Sequence, residues 1–228
     1  MIPRKLLVAT LAVLSLLAPT AAQADLKLSQ LIVELGQGSK AGDIELWNDS
    51  PERTFVAVEP REIVAAGSAA QSERRDPDPQ KLGLLASPSR VILEPGQRRL
   101  LRVAALNPPG ERERVYRVTV KPVAGALQSS ASGIKIMVGY DILVLVRPTR
   151  ATISLVSARQ NGQVTVRNDG NSSVELIDGR QCDAQRKSCS AISGKRLYAG
   201  ASWTVPVLPD KSAEFTVKTP YGEERRVF

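Results

Sequence analysis

Cys182 and Cys189, in the stretch CDAQRKSC, are the residues of this chain whose type and spacing most directly suggest covalent chemistry. Two close cysteines in a polar segment read as a disulfide that closes a small loop in an oxidising compartment. Two thiols alone do not make a metal site, and the spacing is not the C-x-x-C of a redox pair. The chain contains no histidine. That removes the commonest general base and zinc ligand, and with it any Ser-His-Asp or Cys-His arrangement. Ser-Lys or paired-carboxylate chemistry is left without a spacing that suggests it, and no Gly-rich phosphate loop is present. The expectation is a protein that is not an enzyme and uses neither cofactor nor metal.

What remains is the chemistry of the backbone itself. Gly133 to Pro148 reads GIKIMVGYDILVLVRP, with Ile134, Ile136, Val138, Ile142, Val144 and Val146 at even positions. A strand sends alternate side chains to opposite faces, so these six share one stripe. Such a run has two fates. It can be covered by its own domain, or it can offer part of its length to another protein that lacks a strand.

The elements that must hold this run belong to an exported chain. Arg4 and Lys5 precede an apolar run from Leu6 to Leu17, followed by Pro19 and the small-x-small site Ala22-Gln23-Ala24. This is read as a signal peptide over 1–24, with a mature chain from Asp25. No later segment is apolar enough to span a bilayer, so no membrane insertion is expected. Losing the signal leaves 29 basic against 23 acidic residues. Export argues against nucleic acid as the partner of that charge, and no aromatic platform is interleaved with the basic residues. A solvated basic surface and a groove for an acidic protein partner both fit.

Short alternating segments divided by turn clusters dominate the rest. Asn48-Asp49-Ser50-Pro51, Pro95-Gly96, Asn107-Pro108-Pro109-Gly110 and Asn168-Asp169-Gly170-Asn171 are turns, and Asn161-Gly162 is a hairpin turn of the type that needs positive φ twice. Thr54 to Glu59 is a strand expected to stop at Pro60, and Ala65 to Gln80 is expected to be a loop. The pattern restarts after Arg147-Pro148. Regular short strands with turn chemistry indicate β-sandwiches, one over 25–148 and a smaller one over 149–228.

The segments SPSRVILEPGQRRLLRVAAL, ERVYRVTVKPV and the long strand ending in Arg-Pro, in that order, resemble the first domain of periplasmic pilus-assembly chaperones. The run ISLVSARQNGQVTVRNDGNSSVELIDGRQC resembles the second domain of the branch serving alpha-type fimbriae. The likeness covers essentially the whole mature chain. It implies an all-β fold of two immunoglobulin-like β-sandwich domains in a boomerang arrangement, and a periplasmic location. It implies a chaperone that binds pilus or fimbrial subunits, lends them a strand at about 133–146, and delivers them to an outer-membrane usher. An exported tandem immunoglobulin-like adhesive or structural protein is the alternative.

Carried over position by position, the resemblance puts Ile134, Ile136 and Val138 at the donated positions. Its better-known members hold the subunit's terminal carboxylate with an Arg in the first strand and a Lys in the last strand of the first domain. Those positions are Leu31 and Leu143 here, so that site is not carried over. Arg102, Arg117 and Lys135 stand as candidate anchors, because a carboxylate needs charged donors. The family's interdomain ion cluster maps onto Glu113 and Arg147, with Glu223 the nearest acid to its third place.

Overall fold

The computed structural model describes residues 26–36, 38–123 and 137–228. In chain order the first half holds β1 (Leu26–Leu28), β2 (Ile32–Leu35), β3 (Ala41–Asn48), β4 (Thr54–Val64), β5 (Ser72–Arg74), a short helix α1 (Pro79–Leu82), β6 (Leu84–Ser87), β7 (Arg90–Leu93), β8 (Arg98–Ala105), β9 (Arg114–Val123) and β10 (Tyr140–Val146). The second half holds β11 (Leu155–Gln160), β12 (Gln163–Asn168), β13 (Val174–Asp183), β14 (Cys189–Ala191), β15 (Lys195–Leu197), β16 (Ser202–Pro206), β17 (Lys211–Thr219) and β18 (Gly222–Val227).

Two sheets face each other in the first half. One has the order β1-β3-β8-β6; the other has six strands, β2-β10-β9-β4-β5 with β7 also on β4. Alternation decides what fills the space between them. Ile44 and Leu46, Val56 and Val58, Val118 and Val120, and Ile142, Val144 and Val146 all point inward to one cluster. Tyr116 lies in the same cluster, its hydroxyl donating to the Leu82 carbonyl at 3.2 Å, and burial pushes that phenol up to about 12. The first strand is split between the sheets. β1 pairs with β3, the chain crosses over at Ser29–Leu31, and β2 then runs parallel to β10.

The second half repeats the plan with β11-β12-β16 against β14-β13-β17-β18, where β15 also pairs with β13. Phe215, Leu176, Val166 and Val217 form its core. Asn161 and Gly162 take φ of 50° and 71° between β11 and β12, as that hairpin turn requires. Cys182 and Cys189 face each other in the β13–β14 register and are disulfide-bonded. One device recurs in both halves. Buried Asn48 donates to the Glu52 and Leu93 carbonyls, and buried Asn168 donates to those of Ser172 and Leu197. Each amide satisfies backbone groups of a turn that would otherwise be buried unpaired.

Two expectations need correction. β4 does not stop at Pro60 but continues to Val64. Along one flank of β4, β7 ends opposite Ala57 and β5 begins opposite Glu62, so Pro60 sits in a gap where no strand asks for its missing N–H. The segment 65–80 is not simply a loop either. It folds into a turn, β5, and α1, whose Asp78 side chain accepts from the Gln80 amide and whose C-cap Gly83 has φ of 85°.

Candidate functional site

β10 is flanked unequally. β9 accompanies it from Tyr140 to Val146, whereas β2 covers only Leu143 to Val146. The Leu143 amide donates to the Leu31 carbonyl at 2.9 Å, and that of Arg147 to Leu35 at 2.7 Å. Amide direction alternates along a strand, so the Asp141 amide points the same way and meets no strand among the described residues. Around this open stretch stand exposed apolar side chains: Leu31, Ile32, Met137 and Val138, the last 48% exposed. Val138 lies two residues before β10 begins, at the same parity in the sequence as Ile142 and Val144. The other two residues expected on that stripe, Ile134 and Ile136, lie outside the described residues, as does Lys135.

The opposite face of β10 looks toward the second half of the chain. Leu143 and Leu145 pack with Val115, Ala66, Ile63 and Tyr198 into a small separate cluster. Next to it opens a cleft of about 300 Å³ lined by Arg61, Glu73, Val115, Arg117, Asp141 and Tyr198 among others. The cross-strand register sets Leu143, Arg117 and Arg61 side by side. Arg61 is locked: its guanidinium meets both Asp141 oxygens at 3.0 Å, Glu73 at 2.8 Å and the Thr119 hydroxyl at 2.7 Å. Burial works against its charge, but Asp141 and Glu73 outweigh that and hold it raised. Arg75 and Arg61 in turn keep the Glu73 carboxyl low. Arg117 is looser. It lies 3.9 Å from the Asp141 carboxylate and donates to the Asp141 carbonyl at 3.2 Å.

Of the two candidate anchors among the described residues, Arg117 is found in this cleft. Arg102 is on β8, on the outward face of the opposite sheet, where it forms a two-pronged pair with Asp43 at 2.8 and 2.7 Å. Its side chain is 63% exposed there. The whole sandwich separates it from the cleft. Arg61 was missed because its strand was cut at Pro60. Continuing the alternation two residues further places it on the outward face with Glu59.

Where the two halves meet, Arg147 forms an ion pair with Glu113, whose side chain is 1% exposed. The same Glu113 oxygen accepts from the Ser172 hydroxyl at 2.9 Å and the Ser173 amide at 3.0 Å. Arg147 also reaches the Ser173 carbonyl at 3.0 Å. Its third partner is not Glu223. That residue sits in the β17–β18 hairpin, 3.8 Å from Lys218, whereas Glu34 on β2 meets Arg147 at 2.9 Å. The parallel β2–β10 register puts Glu34 opposite Leu145, two residues before Arg147, a proximity that spacing along the sequence could not reveal. Asn171 closes the joint by donating to the Glu111 and Arg150 carbonyls, while its own carbonyl accepts from the Glu113 amide.

Comparison with known proteins places this arrangement. The profile of a family described as pili and flagellar-assembly chaperone, PapD N-terminal domain, matches residues 25–152. No curated protein sequence matches the chain. Among solved structures, the class 5 fimbriae chaperone CfaA superposes with a TM-score of 0.66 at 19% identity, over 89% of this chain and 98% of that one. The SafB chaperone from Salmonella enterica, solved with the SafA pilin, gives 0.63 at 16% identity over 92% and 99%. A CsuC–CsuE chaperone–tip subunit pre-assembly complex from Acinetobacter baumannii gives 0.62 at 11% over 90% and 98%. At such identities these structures establish the shared fold of two immunoglobulin-like sandwiches.

Proposed function

The chain belongs to the family of pili and flagellar-assembly chaperones, and on that premise we propose that it captures a fibre subunit on the open edge of β10 in the periplasm. A subunit that lacks a strand of its own accepts the segment before Tyr140 as a replacement. Backbone hydrogen bonds give affinity, and Ile134, Ile136 and Val138 fill the subunit's apolar groove. Each aliphatic side chain buried in this way contributes roughly 1.5–3 kcal/mol before association costs. The complex is then passed to an outer-membrane usher, where the next subunit displaces the chaperone strand.

One observation carries the reading: β2 stops at Leu143, so among the described residues one flank of the upstream part of β10 has no strand, beside exposed Met137 and Val138. In the cleft, Arg117 is the donor that meets the subunit's terminal carboxylate. Arg61 is already saturated by Asp141 and Glu73 and fixes the floor of the cleft. An adhesive tandem module would have no use for an edge left half-paired in this way.

The test is co-expression with a pilus subunit followed by pull-down. Val138→Asp and Ile136→Asp are expected to abolish capture while leaving the thermal unfolding of the chaperone unchanged. Capture at full strength by both variants would overturn the strand assignment.

A further inference from the structure

A second cleft opens far from β10. It has a volume of about 720 Å³ and is lined by Glu45, Pro88, Arg90, Val91, Ile92, Arg98, Arg99 and Leu100. Its origin is topological. The chain leaves the four-stranded sheet at the end of β6 and enters the other sheet as β7. β6 therefore pairs with β8 over Arg102 to Ala105, and among the described residues the Arg98–Leu101 stretch has no strand on that flank and β7 has no strand partner but β4.

The hydrogen-bond phase shows which groups are left over. The Ala105 amide donates to Lys40 at the β3 side, so odd residues of β8 face β3. Backbone groups of Arg98 and Leu100 therefore face the empty flank. The Val58 amide donates to the Ser89 carbonyl, so on β7 it is Arg90 and Ile92 whose backbone groups face away from β4. The same four residues carry exposed side chains, with Ile92 at 52% and Leu100 at 59%. The groove thus has two free strand edges, two bare aliphatics and three arginines. Its one acid, Glu45, is taken by Arg98 at 2.8 Å.

We infer that this groove is a second docking site, which takes an extended peptide segment of alternating acidic and aliphatic residues as an added strand on the free edge of β8. The segment fills the place β6 vacates. Its backbone pairs with Arg98 and Leu100, its aliphatic side chains cover Leu100 and Ile92, and its carboxylates meet Arg90 and Arg99. The positive lining selects an acidic occupant over a basic one. The site is separate from the β10 edge and can be filled while a subunit is held there.

The experiment titrates a synthetic peptide of alternating Glu and Val residues into the isotope-labelled mature chain and follows backbone amide shifts. A Lys-Val peptide serves as the control. Shifts are expected at 90–92 and 98–101 with the Glu-Val peptide and to be absent with the control. Binding is expected to weaken about tenfold in an Arg90→Glu/Arg99→Glu variant, which still captures a fibre subunit at β10. The proposal is overturned if the Glu-Val peptide does not bind, binds elsewhere, or is matched by the Lys-Val peptide. It is also overturned if the folded double variant loses subunit capture, which would assign this face to the subunit, or if sedimentation shows the groove closed by a second copy of the chain.

Discussion

Arg147 is the side chain on which the joint between the two sandwiches turns. It neutralises a glutamate that has almost no access to water, and it reaches Glu34 and Ser173 in the same arc. Removing one partner of a buried pair leaves the other charged and uncompensated, at a cost of about 3–5 kcal/mol. Arg147→Ala is therefore expected to lower the unfolding free energy measured in urea by that amount. Solution scattering should also report a changed angle between the sandwiches. Glu214 offers a second, pH-dependent case. It lies at the centre of Arg180, Arg186 and Arg225 on the second sandwich. Burial pushes its carboxyl up, but the arginines, led by Arg186, bring it below the ordinary value. A lowered folded-state pKa means that the stabilisation is present above the unfolded value of about 4.3 and is lost as the pH falls through the folded one. Thermal melts between neutral and acid pH should show Glu214→Gln losing stability at neutrality and converging on the parent chain in acid.

At the scale of single elements, β10 sets the behaviour of the molecule. Its Leu143 amide is bonded to the Leu31 carbonyl just before β2, and its Asp141 amide points to the same side with no strand partner among the described residues. Hydrogen exchange is expected to be at least about tenfold faster at Asp141 than at Leu143, and to slow at Asp141 once a subunit is bound. The strands themselves were largely legible in the sequence, because alternation such as Ile142, Val144, Val146 needs only a buried sheet face to be read. Less legible was whatever depended on which strand lies next to which. Pro60 looked like an end because a proline removes a ladder donor. Only the gap between β7 and β5 makes it acceptable inside a strand. Arg102 and Arg117 look alike in the sequence, yet they point from opposite sheets, and only the topology separates them. Glu34 was invisible as a partner of Arg147 for the same reason, since a parallel pairing links positions 113 residues apart.

For the molecule as a whole, the contacts between the halves are polar and directional around Arg147 and Asn171, with an apolar patch at Tyr198 beside them. The Asn168–Asn171 turn enters the joint: the Asn171 side chain donates to the Glu111 carbonyl across it and braces the start of the second half through the Arg150 carbonyl and the Thr152 amide. At about 0.5–1.5 kcal/mol for each bond lost, Asn171→Ala is expected to split one calorimetric transition into two, as each sandwich then unfolds on its own core. A single unshifted peak would show that the Arg147–Glu113 network and the apolar contact of Tyr198 with Leu145 and Ala66 hold the halves together without the Asn171 side chain.

The crossover at Ser29–Leu31, where the first strand leaves one sheet for the other, also acts as a ruler. It fixes how many rungs of β10 are left without β2 beside them, and so, on the function proposed above, how much of β10 a client can pair with. Shifting that crossing two residues toward the amino terminus would let β2 zip further up its neighbour and shorten the berth by one rung pair, without altering a single side chain that touches the client.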